Sequence, residues 1–149
     1  MTGHRTAHKI AQARLNQKYA EKRLLWLIHN NFTENDVTLT LTYRTSPGNV
    51  EEAQRTLTNF IRRIKRLRAR LGFEPLKYVT ITELTRPNGR IIHRVIMDAG
   101  LGCDVLKELW HFGFIDVQRL RTVGLAMYFV KDRQTYRRWN SSRSLIFPR

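Results

Sequence analysis

The chain has 149 residues, room for one domain of ordinary size, and its 42% apolar and 10% aromatic content supplies a core that rules out global disorder. Lys plus Arg outnumber Asp plus Glu by 27 to 12, and the formal net charge of +15 favours a polyanionic partner, nucleic acid ahead of an anionic membrane. A single cysteine, Cys103, excludes an internal disulfide framework and any multi-cysteine zinc site.

The longest aliphatic and aromatic run, Leu24 to Ile28, is far too short to span a bilayer. Arg5, Lys9, Arg14 and Lys18 stand where a secretory leader would carry its apolar stretch. The expectation is a soluble protein of the bacterial cytoplasm with no membrane partner. Ala11 to Asn30 reads as a helix, although Ile10, Leu15, Tyr19, Leu25, Leu27 and Ile28 give only loose apolar periodicity. Asp36 to Tyr43 alternates, with Val37, Leu39, Leu41 and Tyr43 on one side and threonines on the other, which predicts a strand with one buried face. Asn49 is placed to cap a helix from Val50 to Leu71. Its Leu57, Phe60, Ile61, Ile64, Leu67 and Leu71 follow helical spacing, and Gly72 stops it.

Lys77 to Leu84 predicts a second strand, Pro87-Asn88-Gly89 a hairpin turn, and Arg90 to Asp98 the returning strand. Cys103 to Phe112 reads as a short helix, Phe114 to Leu120 as a fourth strand and Leu125 to Lys131 as another helix. Trp26 and Trp110 read as core. The order gives residues 1–35 as a basic arm and helix, 36–132 as an α+β domain, and 133–149 as a basic tail packing on or extending from it. A β-α-β-β-α-β succession predicts a ferredoxin-like antiparallel sheet with two helices on one face. Both RNA-recognition modules and single-strand nicking enzymes use the other face of such a sheet, so topology leaves the choice open. The central strands lack the aromatic pair of an RNA-recognition stacking platform.

Several segments recur in order: Asp36-Val-Thr-Leu-Thr-Leu-Thr-Tyr43, Phe60-Ile-Arg-Arg-Ile-Lys-Arg-Leu67, Tyr78-Val-Thr-Ile-Thr-Glu83, Gly89-Arg90, Leu109-Trp-His-Phe-Gly113, Tyr128-Phe-Val-Lys131 and Trp139-Asn-Ser-Ser-Arg-Ser-Leu145. Over roughly residues 36–148 the chain resembles the small rolling-circle replication-associated proteins of bacterial phages and plasmids, of the HUH endonuclease group. The resemblance implies an HUH-like α+β domain and a reaction. A metal held by a His-hydrophobe-His strand and an acidic residue polarises a scissile phosphate, and a tyrosine attacks it, leaving a 5′-phosphotyrosyl link and a free 3′-OH. It assigns the nucleophile to Tyr128, with Lys131 beside it one helical turn on.

The carry-over departs from the family pattern at the metal. Aligning Gly89-Arg90 and Val95-Ile96-Met97 puts the expected histidines at Ile92 and Arg94, with His93 in the hydrophobe position. Alternate strand residues face opposite sides, so Ile92 and Arg94 share the ligand face and His93 looks the other way, with Ile91, Val95 and Met97. His93 remains a metal candidate only if the register slips by one, and Glu83 stands as the candidate acidic ligand. Their alternatives are a packed histidine and a strand-end glutamate paired with Arg86 or Arg90. No cofactor is expected unless nicking activity is retained, in which case the ion is magnesium or manganese.

Two basic groups point to phosphate. Arg62, Arg63, Lys65, Arg66, Arg68 and Arg70 cluster opposite the apolar stripe of the long helix, and Arg133, Arg137, Arg138 and Arg143 surround Trp139, an aromatic for which stacking on a base and folding back onto the sheet are equally open. Arg94 joins them as a cation on the central strand. Three readings follow: a catalytically impaired relative that binds single- or double-stranded DNA, a mobile-element inhibitor of a host nucleoprotein complex such as an RNA-guided nuclease (an anti-CRISPR), and a working single-strand nickase using Tyr128. Missing metal ligands beside intact basic surfaces favour the first two.

Overall fold

The computed structural model describes residues 2–85, 89–120 and 136–148. Its elements are α1 (Thr2–Asn31), β1 (Val37–Leu41), α2 (Val50–Arg70), β2 (Tyr78–Thr85), β3 (Arg90–Met97), α3 (Cys103–Leu109), β4 (Ile115–Arg119) and β5 (Tyr136–Ser141). The strands form one antiparallel sheet in the order β4-β1-β3-β2-β5. The first four strands therefore have the ferredoxin-like arrangement that the alternation of elements predicts. The helix expected at Leu125 to Lys131 lies outside the described residues.

Local chemistry sets the boundaries of α2. The Asn49 side chain accepts from the Glu52 amide at 2.8 Å, and the Glu52 carboxylate accepts in turn from the Gly48 amide at 2.9 Å. Glu51 and Glu52 occupy the first turn and Arg68 and Arg70 the last, each complementing the helix dipole. Gly72 follows at φ +80°, a left-handed conformation that costs glycine nothing.

The period-two alternation of the strands sorts side chains into two cores. On one face Leu39, Leu41, Val95 and Met97 meet Leu57, Phe60, Ile61 and Ile64 of α2 and Leu106 and Trp110 at α3. On the other, Val79, Ile81 and Ile96 pack against Leu24, Leu27, Ile28 and Phe32. The second face is thus covered in part by the C-terminal end of α1 and the residue that follows it. The residues that do the covering recur at i, i+3, i+4 and i+8, whereas Ile10, Leu15 and Tyr19, part of the apolar pattern in the sequence, are exposed. Trp26 is also 37% exposed, against the core position expected for it, because it falls between Leu24 and Leu27 on the outer side of the helix.

The C-terminal segment departs most from the sequence reading. Six residues of the expected basic tail are β5, paired with β2 from Val79↔Ser141 to Leu84↔Tyr136. The chain then turns back under the sheet. The Ser142 amide donates to the Tyr78 carbonyl, the Ser142 hydroxyl accepts from the Tyr78 amide, and Leu145 enters the α1-side core. Asn31 at the end of α1 holds the backbone of Ile146 twice, donating to its carbonyl and accepting from its amide. The arginines, asparagine and serine of β5 masked its strand character, because an edge strand carries polar residues on both sides.

Candidate functional site

On β3, Ile92, Arg94 and Ile96 face α1, while His93, Val95 and Met97 face α2 and α3. Ile92 stands directly opposite Glu83 of β2, and Arg94 opposite Thr40 of β1. The Arg94 Nε lies 3.6 Å from the Glu83 carboxylate, and its Nη1 donates to the Thr40 hydroxyl at 3.2 Å. The Glu83 side chain is 6% exposed and that of Arg94 25%. A buried carboxylate needs a partner, and here it has a guanidinium from its own sheet. Glu83 is thereby paired with Arg94 and not with Arg90, and Arg86, the other partner expected for it, lies outside the described residues.

This arrangement does not fit a divalent ion. One of the two slots that the resemblance gives to histidines holds an aliphatic side chain, which donates nothing, and the other a cation, which repels the metal and takes up the acidic ligand. Nor does His93 supply a replacement. Glu83 and His93 project from opposite faces of the sheet, so one ion cannot touch both. Among the described residues no group of three or more His, Cys, Asp or Glu side chains is arranged to hold a metal.

His93 is fully buried. One ring nitrogen meets the Tyr43 hydroxyl at 2.6 Å and the other the Thr82 hydroxyl at 2.7 Å, and Trp110 stands edge-on to both the His93 and Tyr43 rings. Burial pushes the imidazole pKa down to about 4. Burial also raises the Tyr43 phenol well above its ordinary value; a hydrogen bond from Thr56 partly counters this, and the nearby Glu52 charge adds to it. The pair is neutral, satisfied and enclosed, which is the arrangement of a packed histidine and not of a ligand.

The basic residues of α2 divide. Arg62, Lys65, Arg66 and Arg70 are exposed, and Arg63 is half-buried with its Nη1 3.5 Å from His111. Arg68, expected among the phosphate-binding cations, is 3% exposed. Its guanidinium donates to the carbonyls of Ala99 and Glu74, pairs with Asp98 at 3.4 Å and covers the Phe73 ring at 5.1 Å, so it anchors the end of α2 to the turn after β3. The helical period accounts for this: Arg68 falls at i+4 from Ile64, on the buried stripe.

At the C-terminal end Arg138 and Arg143 are exposed. Trp139, open between base stacking and packing on the sheet, is partly buried against the α1-side core opposite Ile81. Its ring is therefore taken by packing. Arg137 stands opposite Glu83 in the β2–β5 ladder. Tyr128, Lys131 and Arg133 lie outside the described residues, as does the Arg137 side chain.

A cleft of about 720 Å³ opens between the second half of α2 and the end of β5, and brings the two basic groups together: Lys65 on one wall, Arg143 on the other. Tyr78, Phe73 and Asn140 help to line it, with the Lys65 ammonium 5.0 Å above the Tyr78 ring. Phe73, Tyr78 and Asn140 were not legible as site residues in the sequence. The one available signal was Tyr78 at the head of a threonine-rich strand, and nothing local links it to residues near the C-terminal end.

A model of the family described as Replication-associated protein ORF2 matches residues 36–134. No curated protein and no solved structure matches the chain. The matched span runs from the start of β1 to beyond β4, and so contains the central slot, α2 and both predicted site residues Tyr128 and Lys131.

Proposed function

The chain belongs to the Replication-associated protein ORF2 family, and from that premise we propose that it acts in replication by binding DNA through its basic surface without metal-dependent cleavage. The observation that carries this reading is the Arg94–Glu83 pair, 3.6 Å apart on the face where the resemblance to HUH endonucleases puts a metal. Without an ion at that position the scissile phosphate has no Lewis acid, and a tyrosine with an ordinary pKa near 10 is a poor nucleophile at neutral pH. What remains is a surface of exposed cations, Arg62, Lys65, Arg66, Arg70, Arg138 and Arg143 among them, on a chain with a net charge of +15. Such a surface binds the phosphate backbone with an affinity that falls steeply with salt and reads little sequence. Among the described residues no helix is long and apolar enough to cross a membrane.

The test pairs binding with chemistry. Purified protein is incubated with single-stranded oligonucleotides covering its own replication origin, with and without magnesium or manganese. Salt-dependent binding is expected in every condition, with no covalent protein–DNA adduct on denaturing gels. Arg62→Glu with Arg66→Glu is expected to weaken binding at least about tenfold, since each change replaces a phosphate contact with a repulsion. An adduct that Tyr128→Phe abolishes would establish a working nickase instead.

A further inference from the structure

We propose that the cleft between α2 and β5 is a binding site for single-stranded DNA, in which Lys65 and Arg143 hold phosphates and Phe73 stacks on a base. This rests on the reading that the chain binds DNA, and gives that binding a place. The volume, about 720 Å³, lies within the roughly 300–1,000 Å³ of sites that enclose small organic groups. Its opposite walls carry one exposed cation each, and only Glu74 among the lining residues is acidic. Asn140, Ser141, Ser142 and Ser144 line the strand side.

The aromatic content separates a single strand from a duplex. Phe73 is 41% exposed, with the Arg68 guanidinium over its ring and Gly100 against its edge. A ring held from beneath by a buried cation is a rigid platform, and the bases of a single strand are free to stack on it whereas those of a duplex are already stacked.

Cations beyond the cleft extend it in one direction. Arg62 lies one helical turn before Lys65, and Arg138 lies two residues before Asn140 on the same side of β5. Because β1, α2 and β2 form a crossover unit and β5 is antiparallel to β2, α2 and β5 run in the same sense, so both arginines stand at the same end. A track of this kind suits a linear polyanion better than a single small anion. At Arg138 it reaches the level of Thr82 in the ladder, next to Glu83, so the strand would leave the cleft at the height of the Arg94 pair and on the opposite side of the sheet.

The experiment measures binding of a fluorescein-labelled oligo-dT strand across a salt series for the full chain and its variants, each checked for an unchanged melting temperature. Lys65→Ala with Arg143→Ala is expected to flatten the log–log salt slope by about 1.4, at about 0.7 per lost phosphate contact on a single strand. The charge-matched pair Lys22→Ala with Lys107→Ala, on exposed positions of α1 and α3, changes it less. Phe73→Ala weakens binding at least about fivefold without altering the slope. In the unaltered protein, a 5-iodouracil strand crosslinks to Phe73 or Tyr78 on irradiation. If the cleft pair behaves like the control pair, Phe73→Ala binds normally and crosslinks map elsewhere, the cleft is not the site although DNA binding stands. If the unaltered protein binds no strand at any salt, the DNA reading itself falls, and the cleft with it.

Discussion

His93 shows how burial fixes the role of a side chain. Held neutral between Tyr43 and Thr82, its imidazole has a pKa pushed from 6.5 down to about 4. A base with a folded pKa below its unfolded one stabilises the fold fully above the unfolded value, and that contribution is lost as pH falls through the folded one. Stability measured by urea unfolding is expected to decline between about pH 6.5 and 4, by up to roughly 3 kcal/mol from this group. His93→Gln should remove that part of the decline and lose stability at pH 7; an unchanged pH profile would mean that folding does not lower the imidazole pKa. Its chain neighbour Arg94, on the opposite face of the sheet, is tied to Glu83 and Thr40. Replacing Ile92→His and Arg94→His together would set two imidazoles beside that carboxylate on one face, a facial two-histidine, one-carboxylate set. Calorimetry is expected to detect manganese binding by this variant and none by the parent, and Glu83→Ala in the variant to abolish it. Neither outcome depends on Tyr128.

At the scale of elements, the connection between α3 and β4 is a tight junction. It runs along the end of β1, where the Thr42 amide donates to the Phe114 carbonyl at 2.9 Å and the Phe114 amide donates back to the Thr42 carbonyl at 3.1 Å. The same Thr42 carbonyl accepts from the Trp110 indole at 3.1 Å. A Cβ on Gly113 would stand 2.0 Å from that oxygen, so backbone must move to admit even a methyl group. Gly113→Ala is expected to cost about 3 kcal/mol, at the upper end of overpacking penalties, measured as a lower urea midpoint with unchanged m-value. Elements with strong internal signals were legible in the sequence: the cap, stripe and stop of α2, and the alternation of β1. β5 was not, since its pairing partner, β2, lies more than fifty residues earlier and an edge strand need not alternate.

For the molecule as a whole, α1 decides which surface remains open. Leu24, Leu27 and Ile28, with Phe32 just beyond the helix, cover the sheet around Val79, Ile81 and Ile96, on the face that also carries Arg94, and Asn31 fastens α1 to the C-terminal segment at Ile146. Leu27 is fully buried. Leu27→Ala is expected to lower stability by about 2–5 kcal/mol in a single cooperative unfolding transition, monitored by circular dichroism. Two separate transitions would mean that α1 and the sheet do not share a core. The charge of +15 is spread over several elements. Lys9, Lys18, Lys22 and Arg23 are exposed along α1, whereas Lys65 of α2 and Arg143 just beyond β5 line one cleft.

Composition, helical period and strand alternation are local properties, and they determined the α+β succession, the net charge of +15 and the placing of Ile92 and Arg94 on one face of their strand. Alternation alone also separated His93 from those two positions, because neighbouring residues on a strand cannot share a face. Tertiary structure decided the rest: that Arg68 is an internal anchor, that Trp139 is packed, that Glu83 is the partner of Arg94, and that Lys65 and Arg143 face each other across one cleft. Each of these depends on contacts between residues distant in the chain. Burial and pairing arise only when the sheet closes, and no spacing within a single segment encodes them.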